Sequence, residues 1–236
     1  MIPLHSAVAV RRTPVVNRLL LATNIALWIY VLSLQRHPAA LEAFYATYAF
    51  DWNALVSAMT SGAVTTQAFV PLVTHLFLHG GWLHVIGNML YLWIFGDAVE
   101  DALGGPAYLV FYLLCGVVAA IGQGLLAPAP MVGASGAIAG VLGAYLVLHP
   151  TSRISTLIFL GLFISVLEVP ALVVIGMFIV LQVVEGVAEL RMSGAVAAQQ
   201  IAYVAHVFGF VTGILLLPLL RERAGARRVR SGWGYF

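Results

Sequence analysis

The chain has 236 residues, 62% of them hydrophobic and 8% charged, with a formal net charge of +2 and a mean hydropathy of +1.01. A soluble domain carries about a quarter charged residues, so a water-soluble globule is excluded, and a charge this small excludes a basic nucleic-acid-binding face. The single cysteine, Cys115, rules out a disulfide framework or a cysteine metal cluster. What remains is a polytopic membrane protein, expected to be all-α because six spans of roughly 20 residues would use about half the chain.

Residues 1–16 form a short polar lead containing Arg11 and Arg12. From Arg18 an apolar run continues to Leu34, and no small-x-small cleavage pattern precedes Gln35 and Arg36. It therefore reads as a retained first span rather than a removed signal peptide. The arginine pair reads as a topogenic cluster rather than a twin-arginine signal. Residues 37–82 are a long mixed connection whose Phe44, Tyr45, Tyr48, Phe50, Trp52 and Phe69 suit the membrane interface. Non-helical backbone at membrane depth must be satisfied by protein or water, so this first loop is expected to pack against the bundle.

Further spans are expected at 83–101, 106–126, 134–149, 170–188 and 202–220, each near the roughly 20 residues a bilayer demands. The apolar stretch 154–169 is short and stops at Pro170, so it reads as an interfacial or packed extension. A basic tail follows with Arg221, Arg223, Arg227, Arg228 and Arg230. Arginines favour the inner side of a membrane. With six spans and the N-terminus inside, nine arginines fall inside and only Arg36 and Arg191 outside. A seventh span at 154–169 would put the tail outside. The expected organisation is a cytoplasmic lead (1–16), a six-helix membrane domain (17–220) and a basic cytoplasmic tail (221–236).

Polar residues within such spans are functional candidates. His75, His79, His84 and Asn88 enter the second span; Gly133-Ala134-Ser135-Gly136 opens the fourth; Ala205-His206-Val207-Phe208-Gly209 lies in the last. Under the arginine-derived topology His84, Ser135 and His206 all fall in the outer half of the membrane. Gly136, Gly140 and Gly143 on one span, and Ala202, His206, Gly209 and Gly213 on the other, are spaced to let helices meet backbone to backbone. A serine becomes a useful nucleophile when a base takes its proton, and a neutral His206 can do so and then protonate the leaving amine. No carboxylate lies near His206 in sequence, which points to a Ser135–His206 dyad. The Ser135 N–H and the side chains of His84 and Asn88 are the candidate oxyanion donors.

At these residues the sequence resembles the rhomboid family of intramembrane serine proteases, bacterial type. The family's H-x-x-x-N appears as His84 to Asn88, its G-x-S-G as Gly133 to Gly136, and its A-H-x-x-G as Ala205 to Gly209. The resemblance implies a six-helix rhomboid-like bundle with a long membrane-associated first loop. It implies cleavage of single-pass transmembrane substrates near the outer face, with Ser135 as nucleophile, His206 as base, and His84 and Asn88 in the oxyanion hole. No cofactor or metal is implied, and the setting is a bacterial inner membrane. Asp97 to Gly104 also matches the family pattern, as a structural element. Two positions depart from it. The aromatic often found one turn after the serine is Ala139 here, leaving Tyr203, Phe208 and Phe210 as candidates to orient His206. The first loop has no clear Trp-Arg pair before His75.

Several residues admit other readings. His75 and His79 suggest a metal, but no acid is near in sequence, and hydrogen bonding within the loop is the simpler role. Glu168, Glu185 and Glu189 lie near span ends, where solvated or snorkelling roles suffice. The alternative for the whole chain is a catalytically inactive relative that binds transmembrane helices, which the presence of both Ser135 and His206 disfavours. A transporter ranks third, since no pair of matching interrupted helices suggests inverted repeats.

Overall fold

The computed structural model describes residues 1–62, 64–160, 163–190 and 202–221. Arg191 and the tail beyond Arg221 lie outside the described residues. What is described is mostly helical. Helix α1 (Val15–Leu34) is followed by four short helices, α2 (Pro38–Tyr48), α3 (Trp52–Thr60), α4 (Thr66–Phe69) and α5 (Pro71–Thr74), and a 3-10 turn at His75–Phe77. The long helices α6 (Trp82–Leu103), α7 (Gly105–Leu126), α8 (Ser135–Leu148), α9 (Ala171–Glu189) and α10 (Tyr203–Leu220) complete the order. Among the described residues α1, α7, α9 and α10 are each long and apolar enough to cross a membrane. The pair 66–77 and α6 qualifies together, bent by 79°. Helix α8 has 14 residues, about 21 Å at 1.5 Å per residue.

Local chemistry sets these boundaries. Gly104 ends α6 at a φ of +83°, which a glycine tolerates, and α7 starts at once with a proline in its first turn. No side chain of its own caps α1. The buried Glu100 of α6 does so across the bundle, accepting from the N–H groups of Val16 (3.0 Å) and Asn17 (2.6 Å). The Asn17 amide donates to Asp97 (2.7 Å) and accepts from the Tyr108 hydroxyl (2.8 Å). Asn17, Glu100 and the Tyr108 hydroxyl are thus each partnered, and the stretch from Asp97 onward ties α1, α6 and α7 together.

The connection after α1 is largely helical rather than irregular, and it docks on the bundle. Phe50 is buried and exchanges backbone hydrogen bonds of 3.0 and 2.8 Å with Met131, just before α8. Trp52 lies over Gly124 of α7, where any side chain would overlap its ring.

The all-α expectation is incorrect: residues 154–169 form no helix, and a three-stranded sheet accompanies the helices. Strands β2 (Arg153–Leu160) and β3 (Phe163–Pro170) make an antiparallel hairpin in register from Arg153–Pro170 to Leu160–Phe163. Residues of the polar lead add a third strand, β1 (Ile2–Ser6), antiparallel to β2. The run holds three Ile, two Val and two Phe, which suit a strand, and Ile154 and Thr156 are fully buried two residues apart, on one face of β2.

Candidate active site

Helix α8 is the centre of the bundle: every residue from Gly136 to Tyr145 is buried. Its contact with α10 is made of glycines. A Cβ on Gly209 would overlap the Gly136 carbonyl, one on Gly213 the Gly140 carbonyl, and one on Gly143 the Phe210 carbonyl. The pairs 136/209 and 140/213 advance together by four residues, so the two helices run parallel and start at the same end. Ser135 is the residue before Gly136, and His206 lies three residues before Gly209. The seam therefore fixes the level of both.

Gly133 brings His84 of α6 to the same place. Its φ is +131°, and a Cβ there would stand 2.6 Å from His84 Nε2 and 3.5 Å from Ser135 Oγ. The serine hydroxyl and the His84 ring thus border a space one methyl group would fill. No side chain caps α8, so the first N–H groups of that helix, Ser135 among them, lack intrahelical partners and lie at its positive dipole end.

Asn88 is turned toward His79, with its Nδ2 donating to His79 Nε2 at 3.0 Å. The His79 and His84 rings meet edge to face at 5.1 Å. The Tyr45 hydroxyl donates to the His79 carbonyl at 2.7 Å, and burial raises its pKa, keeping it a donor. His75 Nδ1 donates to the Pro71 carbonyl at 2.7 Å, and the His75 carbonyl accepts the Gly133 N–H at 2.9 Å. Both histidines thus bond within the protein around the segment that presents Ser135. Among the described residues no three His, Cys, Asp or Glu side chains group to hold a metal ion.

His206 is buried, at 7% exposure. Its Nδ1 lies 2.5 Å from Gln182 Oε1 on α9, while its Nε2 is buried without a partner. No hydrogen bond joins Ser135 to His206; such contacts often tighten only when substrate binds. Two rings flank the imidazole, Phe178 tilted by 35° and Tyr203 at 89°, each with centroids 6.3 Å away. Of the aromatics suggested by the sequence, Tyr203 is beside the ring, whereas Phe208 lies against Gly122 and Phe210 is part of the core.

The first turn of α10 is held from outside. Glu189 at the end of α9 accepts the Val204 N–H at 3.2 Å, and Gln123 at the end of α7 accepts the Ala205 N–H at 2.9 Å. The two side chains are joined by a 2.6 Å bond from Gln123 Nε2 to Glu189 Oε1. Glu189 is 6% exposed, so the snorkelling role suggested by its place at a span end is incorrect. Gln123, Gln182 and Glu189 were not singled out as site residues. Gln123 and Gln182 interrupt apolar helices and Glu189 ends one, which is the signal the sequence carries; the partner helix cannot be read from it.

The family model described as the Rhomboid domain matches residues 66–223, more than half of the chain. The chain is 32% identical over 163 residues to the Arabidopsis thaliana protein named Rhomboid-like protein 11, chloroplastic, covering 66% of this chain and 54% of that one. It is 42% identical over 82 residues to the Rhomboid protease GluP of Bacillus subtilis, covering 35% and 16%. A third match, the Rhomboid protease GlpG of Yersinia pestis, is 34% identical over 71 residues, covering 30% and 26%. The chain thus spans little more than half, or less, of the length of these relatives.

Proposed function

This chain belongs to the rhomboid family, and on that premise we propose that it is an intramembrane serine endopeptidase acting through Ser135 and His206. His206 Nε2 removes the Ser135 proton as Oγ attacks the substrate carbonyl carbon. The resulting oxyanion is held by the Ser135 N–H, the His84 ring and the second amide proton of Asn88, whose first is engaged by His79. The protonated His206 then passes its proton to the leaving amine, and water repeats the sequence to release the acyl group. The observation that carries this reading is the glycine seam, which sets the start of α8 level with the His206 turn while leaving Nε2 buried and unpartnered.

The setting is a membrane domain of residues 17–220 that crosses the bilayer six times. The lead and the basic tail are cytoplasmic, in a bacterial inner membrane, and the helical first connection is membrane-associated. A 14-residue helix is about 21 Å long, short of the roughly 30 Å hydrocarbon core. If His149 sits at the inner interface, Ser135 lies beneath the outer one, within reach of water and of a single-pass substrate unwinding there.

The test uses the full chain in liposomes with a type I transmembrane substrate and a fluorophosphonate probe. Wild type is expected to cleave and to be labelled. Ser135→Ala is expected to do neither, and His206→Ala to lose cleavage, both with unchanged thermal midpoints. Cleavage by Ser135→Ala rejects the nucleophile. A folded wild type that is neither labelled nor active supports the helix-binding, non-catalytic alternative.

A further inference from the structure

An imidazole has two nitrogens, and only one may carry the lone pair that a base needs. In the neutral ring, the hydrogen bond made by one nitrogen decides which tautomer is present. His206 has a single polar partner among the described residues, the Gln182 amide, at 2.5 Å from Nδ1. An amide oxygen there accepts an N–H and leaves Nε2 as the base. The aromatic that could have stacked on the ring from α8 is absent, since position 139 is a fully buried alanine.

The placement of Gln182 is supported from both sides along α9. Phe178, one turn earlier, lies against the imidazole, and Glu189, seven residues later on the same face, fastens the Val204 N–H. Helix α9 therefore grips α10 by the ring and by the backbone at once. The sequence of α9 is otherwise apolar until Glu185, and a polar side chain in such a run has a function as its first explanation.

We propose that Gln182 is the positioning residue of the dyad. Its Oε1 accepts from His206 Nδ1–H, directs the Nε2 lone pair toward Ser135, and stabilises the imidazolium formed when Nε2 takes the serine proton. This rests on the reading of Ser135 and His206 as the catalytic pair. Gln182 moves no proton itself.

The experiment uses the full chain with ¹⁵N-labelled histidine, the His206 signals being identified by their loss in His206→Ala. Wild type is expected to show the proton on Nδ1. Gln182→Leu, which removes the acceptor, is expected to show mixed tautomers, and to lower kcat for cleavage about 10- to 100-fold with KM little changed. Gln182→Glu, which restores an acceptor, is expected to recover the Nδ1–H tautomer and part of the rate. A wild-type proton on Nε2, or Gln182→Leu cleaving at the wild-type rate, overturns the proposal. Should Gln182→Leu fail to fold, the wild-type tautomer and the Gln182→Glu variant still decide it. A wild type with Nδ1 protonated but no Ser135 labelling would instead reject the catalytic pair while leaving the Gln182 contact standing.

Discussion

Helix α10 is held on one side by α8 and on the other by α9, and the two joints differ in their chemistry. Against α8 the contact is backbone on backbone, through Gly136, Gly140, Gly209 and Gly213, with α8 almost wholly buried. Against α9 it runs through side chains, Gln182 and Phe178 to His206 and Glu189 to the Val204 N–H, from a helix most of whose apolar residues are exposed. The first joint allows no adjustment, because peptide groups cannot rotate out of the way. In the second, each polar contact rests on a single side chain. Depth is thus set sterically and ring orientation electrostatically, by different neighbours.

Substitutions separate the two contributions. Gly213→Ala forces a methyl group into the Gly140 carbonyl. Overpacking typically costs 1–3 kcal/mol where side chains can shift; two backbones must part here, so a loss of about 3 kcal/mol or more is expected. It would be read as a lower thermal midpoint together with lost fluorophosphonate labelling. A midpoint equal to wild type would show that the seam can open to admit a methyl group.

Asn88→Ala calibrates chemistry apart from either joint, since Asn88 is on α6. Turnover should fall about 100-fold, as for loss of one oxyanion donor, while the midpoint moves far less than for Gly213→Ala. Unaltered turnover would make Asn88 only the partner of His79. Glu189→Ala comes next: it orphans the Val204 N–H and a Gln123 donor, for an expected loss of about 1–3 kcal/mol in stability, most of it regained by Glu189→Gln. Thermal unfolding of the three proteins side by side checks this. The smallest effect is expected for Gly176→Ala on α9, where an added Cβ meets nothing within 4 Å. Stability should rise by up to about 1 kcal/mol from helix propensity, with labelling unchanged. A large loss there would mean that α9 is packed more tightly than its exposure indicates.

The glycine periodicity of α8 and α10 was legible because close helix approach leaves a period in the sequence, and the contacts follow that period. The apolar runs likewise placed the long helices to within a few residues. The strand pairing of 153–170 with residues 2–6 was not legible, because a short apolar run has the same composition as a helix or as a strand, and its partner lies some 150 residues away. Gln182 was missed for a related reason. A lone glutamine in an apolar helix signals that a partner exists, but the partner's identity depends on which helix faces it.

The chain's amino-acid order by itself determined that this protein is apolar, that its helices carry small-residue faces, and that a serine, two histidines and an asparagine fall in the first two turns of their helices in a family-specific pattern, since these depend on composition and on spacing along one helix. Only the tertiary structure decided that Gly133 sets His84 beside Ser135, that Glu189 and Gln123 cap α10, and that Gln182 meets Nδ1 of His206. Those facts depend on the packing of helices distant in sequence, which hydrogen-bond direction and steric fit select only once the bundle has closed.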